Sequence, residues 1–232
     1  MVPQRSSIVS RTRPRLATAA TRAAAIALVS AIVAVTGCSS GPSGSDDAAY
    51  VKQIESQRAD KDKDFRELPE CGAGAPPECS PVPPANRAKV LPLKYYPPDP
   101  SYSVAAALRL VDQRPVFEMP TSTGTVRRMQ RVGVLEFTLK GQPMTLGAFV
   151  EEGTQEISQL FVPFADETTS KETYEAGRYL DLHPTATNIY EIDFNKAYNP
   201  YCAYSKAYEC PFPPPSNRLK VAITAGEKNP GA

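Results

Sequence analysis

The chain has 232 residues, with 26 Lys plus Arg against 25 Asp plus Glu, 24 prolines, five cysteines, one histidine and no tryptophan. A near-neutral balance with no basic cluster beyond Arg127, Arg128 and Arg131 argues against nucleic acid or an anionic lipid surface as the partner. The lone His183, next to Pro184, reads as a turn residue and leaves no two-histidine metal site. No G-x-S-x-G elbow, P-loop or dinucleotide glycine fingerprint occurs, so no cofactor or metal is expected.

The first element in chain order is an address. Arg5, Arg11, Arg13, Arg15 and Arg22 form a basic stretch ahead of an apolar run over residues 23–35, too short to span a bilayer. Gly37-Cys38 closes that run in the manner of a bacterial lipobox, whose cysteine receives a diacylglyceryl group before the preceding peptide bond is cut. Residues 1–37 are therefore expected to be a lipoprotein signal, and Cys38 the lipidated first residue of the mature chain. Acyl chains, at about 0.8 kcal/mol per buried methylene, would anchor an extracytoplasmic protein to the membrane without a transmembrane helix. The alternative is an ordinary secretory signal that leaves Cys38 as an odd free thiol. With the five leader arginines set aside, 21 basic residues face 25 acidic ones, a net charge of −4.

Residues 38–46 are small and polar and read as a flexible tether, which leaves residues 47–232 as one β-rich domain. Residues 47–66 lack Gly and Pro and set Tyr50, Val51 and Ile54 on one side with Phe65 further on, which predicts a surface helix. Residues 68–100 are too proline-dense for a regular element and read as an irregular wrapping segment. Beyond them, eight short runs of alternating or apolar character predict strands over 102–111, 126–132, 134–139, 144–150, 157–162, 178–182, 189–194 and 219–223. The fold expected is all-β, an antiparallel sandwich or barrel with one N-terminal surface helix. The clearest hairpin runs from 134–139 through Lys140-Gly141-Gln142-Pro143 into Met144.

Four cysteines remain besides Cys38. They fall as Cys71 with Cys79 and Cys202 with Cys210, seven residues between the members of each pair. Outside the cytoplasm an even set favours disulfides; three connectivities are open, and the two local ones are preferred because each would cross-link a loop without ladder hydrogen bonds. A zinc site or a redox dithiol would normally show closer Cys-x-x-Cys spacing.

Three stretches carry a resemblance. One runs from Leu160-Phe161-Val162-Pro163-Phe164 through Asp166 and Lys171-Glu172-Thr173-Tyr174 to Gly177-Arg178-Tyr179-Leu180-Asp181. The second runs from Ile192-Asp193-Phe194-Asn195 to Tyr198-Asn199-Pro200-Tyr201-Cys202, and the third from Cys210-Pro211 through Asn217-Arg218-Leu219 to Gly226-Glu227-Lys228. In these strings the chain resembles the domain-of-unknown-function 1684 family over about residues 48–228. The resemblance implies no substrate, cofactor or reaction. The chain departs from it in its leader, in the Cys71 and Cys79 pair, and in Ser170, where similar sequences tend to carry Gly.

Chemistry narrows to carboxylates and tyrosines. Asp166, Glu172 and Asp193, with Asp181 and Glu227 nearby in the family-like strings, could act as an acid and base pair or hold a hard cation if the sheet brought two together. Structural roles weigh more: Asp193 and Asn195 as turn caps, Arg178 and Arg218 as partners of acids at strand ends. Tyr190, Tyr198, Tyr201, Tyr204 and Tyr208 crowd one segment with Asn195 and Asn199, offering flat apolar faces with polar tips that suit a glycan, peptide or small-molecule groove. The reading favoured is a ligand-binding or scaffolding domain with Asn195, Tyr198, Asn199, Tyr201 and Arg218 as contacts. The alternatives are a carboxylate-based hydrolase or transferase acting on an envelope substrate through Asp166, Glu172 and Asp193, and a purely structural envelope protein.

Overall fold

In the computed structural model the described residues are 44–72, 76 and 78–230. The leader, Cys38 and residues 38–43 of the expected tether lie outside them. Seven strands carry the fold: β1 Ser103–Leu110, β2 Val116–Pro120, β3 Val126–Leu139, β4 Gln142–Glu151, β5 Leu160–Phe164, β6 Arg178–Leu182 and β7 Ile189–Asp193. All pair antiparallel in one sheet of order β6-β5-β4-β3-β1-β7, with β2 beside the first half of β3. The sheet curls into a half-barrel, so the expected all-β antiparallel class holds. Its edge strands β6 and β7 approach at a seam, where Tyr179 exchanges backbone hydrogen bonds of 2.9 and 3.1 Å with Tyr198.

The period of two decides which side chains enter the concave core. Leu135, Phe137 and Leu139 of β3, Leu146, Ala148 and Val150 of β4, Leu160, Val162 and Phe164 of β5, and Leu180 and Leu182 of β6 all point inward with Tyr190, Ile192 and Phe194. Burying a side chain such as Phe164 or Leu146 fully is worth about 1.5–3 kcal/mol. Residues of the opposite parity, Phe149 and Phe161, join Met119, Met129 and Phe117 in a second cluster on the outer face.

Local chemistry explains the joints. The β3–β4 hairpin turns on two residues, Lys140 and Gly141, with φ of +49° and +78°, the mirror-image turn that matches strand twist, so β4 starts at Gln142. Residues 126–132 and 134–139, expected as two strands, are one strand with an irregularity in register between Arg131 and Gly133. A Cβ at Gly133 would stand 2.6 Å from the Arg109 carbonyl oxygen, so glycine lets β1 approach there. Ser170 adopts φ +68°. The turn therefore takes the left-handed conformation although glycine is missing from it.

Helix α1, Gly44–Glu67, begins three residues before the expected start, with Asp46 and Asp47 in its first turn and Arg66 in its last, each favourable to the helix dipole. It buries Ile54 and Phe65 and keeps most other side chains exposed. Within the proline-dense stretch, α2, Pro84–Val90, is a helix of seven residues started by proline, with no buried residue. Among the described residues no helix is long and apolar enough to cross a membrane.

Residues 219–223, expected as a strand, instead belong to an irregular arm laid across the β5–β6 end. Its start pairs briefly with the end of β5, Leu219 N–H on the Ala165 carbonyl and Glu167 N–H on the Val221 carbonyl, and beyond that its carbonyls at Ile223, Ala225 and Glu227 accept from the Arg178 guanidinium. Cys71 and Cys79 form the expected disulfide. The second expected bridge is absent: Cys202 and Cys210 are buried thiols, held side by side by a hydrogen bond of 3.1 Å from the Cys202 N–H to the Cys210 sulfur.

Candidate functional site

An aromatic concavity lies on the convex face of the sheet. Its floor comes from outward-pointing residues of four strands: Arg127 and Met129 of β3, Phe149 and Glu151 of β4, Phe161 of β5, and Tyr179 and Asp181 of β6. The register places Phe161 opposite both Phe149 and Asp181, so these side chains converge once the sheet curls. One wall is the segment after β7, with Tyr198, Tyr201, Tyr208, Glu209, Cys210 and Pro211, and Lys61 and Phe65 of α1 stand at one end. The groove holds about 640 Å³.

Its rings are interlocked edge to face. Phe161 and Tyr179 have centroids 4.6 Å apart, Tyr179 and Tyr198 5.8 Å, and Tyr201 and Tyr208 5.3 Å. Two fixed hydrogen bonds hold the tyrosine heads. Tyr179 donates to the Pro211 carbonyl at 2.5 Å, and Tyr198 donates to Asp181 at 2.6 Å. Burial, followed by the neighbouring Asp181 carboxylate, raises the Tyr198 phenol far above its ordinary range, so it stays a donor. Glu209 accepts from the Thr125 hydroxyl at 2.6 Å, which holds its carboxyl below the usual range. Tyr201 is 42% exposed and offers its face to solvent.

The residues nominated from sequence separate sharply. Tyr198 and Tyr201 line the groove, joined by Tyr208. Asn195 is buried, accepting from the Asp99 N–H and donating to the Asp99 carbonyl and the Tyr50 hydroxyl. Asn199 is buried as well, its N–H on Glu227 and its amide donating to the Lys228 carbonyl. Arg218 is exposed on a second groove of about 750 Å³, shared with Tyr174, Cys202 and Lys206.

The carboxylates do not form a pair. Asp166 is buried against Arg178 at 2.8 Å and also accepts from the Thr168 N–H and hydroxyl. Glu172 is exposed and faces Lys228 at 3.6 Å. Asp193 caps a short turn, accepting from the Asn195 N–H and, at 2.7 Å, from Tyr50 of α1. Glu227 is buried in a cradle of Lys61, Tyr204 and the Asn199 N–H. Among the described residues no group of three or more His, Cys, Asp or Glu could hold a metal ion.

Sequence reasoning nominated Asp181 as a carboxylate but missed the other strand residues of the groove and the role of Asn217. The Asn217 amide bonds the N–H and carbonyl of Gly147 and the Pro163 carbonyl, acting as a substitute strand neighbour beneath the arm. Alternation in β4 to β6 could have flagged Phe149, Phe161, Tyr179 and Asp181 as outward residues, but not their convergence.

A family model for proteins of unknown function, DUF1684, matches residues 89–228, which include β1 to β7 and the arm. The chain belongs to this family. The DUF1684 domain is also similar to an uncharacterized protein of Haloarcula marismortui solved by solution NMR. The two share 36% identity, with 79% of this chain and 96% of that one covered, at a TM-score of 0.59. No curated protein matches the chain. The DUF1684 match spans all three family-like strings, including Arg178 and Asp166, whose pairing fixes the arm.

Proposed function

We propose that this protein is a binding domain of the bacterial cell envelope, lipid-anchored through Cys38 on the extracytoplasmic side, whose groove takes an envelope glycan. The observation that carries the reading is the groove itself. Aromatic faces of Tyr198, Tyr201 and Tyr208 stand beside Asp181, Thr154, Ser158 and Gln159, the mixture of flat apolar surface and hydrogen-bonding groups that a sugar ring needs. The Cys71–Cys79 bridge is in keeping with an oxidising compartment. Asp166, Glu172 and Asp193 are each engaged by a separate partner, which favours binding over a hydrolase or transferase built on them.

The test is a panel of envelope glycans against purified full-length protein. Binding by the parent, weakened roughly tenfold or more in Tyr201→Ala, is the expected result, since stacking faces contribute on the order of 1.5 kcal/mol. A parent that binds none of the panel, or a variant that binds as the parent does, rejects the assignment. Labelling with a radioactive fatty acid, lost in Cys38→Ala, tests the anchor.

A further inference from the structure

The groove leaves one reactive feature unused. Cys202 and Cys210 are buried together, the Cys202 N–H donating to the Cys210 sulfur at 3.1 Å and the Tyr174 hydroxyl donating to the Cys202 sulfur at 3.8 Å. Ser122 fixes the other side: its N–H donates to the Cys210 carbonyl at 3.0 Å, and its hydroxyl accepts from the Cys210 N–H at 3.1 Å. The two thiols open in different directions. Cys202 borders the second groove, whose rim carries Lys206 and Arg218 with Glu175, whereas Cys210 borders the aromatic groove.

We propose that Cys202 and Cys210 form a thiol–disulfide exchange site, with Cys202 attacking, Cys210 resolving, and a small carboxylate-bearing disulfide as the oxidant entering by the second groove. A hydrogen bond from the Cys210 thiol, the largest influence, holds the Cys202 sulfur below the ordinary thiol range, while the same contact and burial push Cys210 up. The attacking and resolving roles follow from the access route, since Cys202 borders the groove that carries Lys206 and Arg218 and Cys210 does not.

In the first step the Cys202 thiolate bonds to one sulfur of the oxidant. The oxidant's S–S bond breaks, and its other half leaves as a thiolate that takes a proton. In the second step Cys210 loses its proton and attacks the Cys202 sulfur, releasing the remaining half as a second thiol. Both protein thiols are oxidised by two electrons in total, and one small disulfide is reduced to two thiols. The new bridge ties together the ends of the segment carrying Tyr208 and Glu209, both of which line the aromatic groove.

The experiment uses full-length protein, reduced and then freed of reductant, incubated with oxidised glutathione and read by peptide mass spectrometry. Wild type is expected to lose two hydrogens across the Cys202 and Cys210 peptides as their bridge, scored separately from the Cys71 and Cys79 peptides, which re-form their own bridge after the reductant is removed. Cys210→Ser is expected to accumulate a glutathione adduct on Cys202, and Cys202→Ser to leave Cys210 unmodified. Replacing Lys206 and Arg218 by Ala is expected to slow bridge formation with oxidised glutathione roughly threefold relative to neutral hydroxyethyl disulfide, the scale of exposed charge contacts. Pulsed alkylation of folded wild type gives a reading independent of any variant: Cys202 is expected to label before Cys210. Adducts on Cys210 in Cys202→Ser, earlier labelling of Cys210, or a native pair inert to both disulfides until denaturant is added would overturn the proposal.

Discussion

Arg178 concentrates several jobs in one side chain. It is fully buried, paired with Asp166, and its two terminal nitrogens reach carbonyls at Ile223, Ala225 and Glu227 in the arm, with the guanidinium 5.2 Å from the Phe164 ring. A planar fork of donors matches this divergent set of acceptors in a way that a lysine ammonium cannot. Removing the cation alone strands a buried carboxylate and three carbonyls, so Arg178→Met is expected to cost about 3–5 kcal/mol. The urea midpoint of Arg178→Met should fall accordingly, and adding Asp166→Asn should restore part of the loss, because the uncompensated charge is then gone. If the single and double variants unfold at the parent's midpoint, the pair is not what holds the arm.

Helix α1 meets the rest of the domain through polar contacts as well as apolar ones. Helix α1 buries Ile54 and Phe65, yet its attachment also runs through Tyr50 to Asp193, Arg58 to the carbonyls of Tyr96 and Asn195, Lys61 to Glu227 at 2.5 Å, and Asp62 to the Leu93 N–H at 2.9 Å. Tyr50→Phe removes one donor from a buried carboxylate, at a cost of about 1.5–3 kcal/mol for a bond to a charged group. Amide exchange in α1 should accelerate while amides of β3 and β4 keep their protection, because local opening follows local contacts. Unchanged exchange throughout α1 would show that the apolar pair alone anchors it. The sequence made the helix legible through its freedom from Gly and Pro, but its docking partners lie more than 90 residues away in most cases. Element boundaries failed for similar reasons. Pro115 precedes β2 and Pro120 ends it, which disguised the strand, Gly133 split β3 in two, and residues 219–223 have strand-like composition but pair only briefly with residues 165–167 before the Ile223 carbonyl turns to Arg178.

For the whole molecule, the half-barrel has two surfaces with different tasks. The concave one is the core and was legible from alternation; the convex one is a binding groove only because the sheet curls and the segment after β7 folds back over it. Tyr198, Tyr201 and Tyr208 stood out as a cluster, whereas Asn195 and Asn199 carry the same polar signature and are buried scaffold, a distinction that depends on the path of the chain and not on residue type. This division makes the tyrosines separable by experiment. Tyr201→Ala removes a partly exposed ring that meets only Tyr208 edge to face among the rings of the groove and should shift the unfolding free energy by about 0.5–1.5 kcal/mol, while removing a stacking face from the groove. Tyr179→Phe keeps its ring but loses the 2.5 Å bond to the Pro211 carbonyl, leaving a buried acceptor, and should cost about 1–3 kcal/mol with a smaller loss of ligand affinity. Paired melting and binding curves for the two variants therefore should rank in opposite orders. If both variants rank the same way in stability and in binding, the convex groove is structural and the ligand belongs elsewhere.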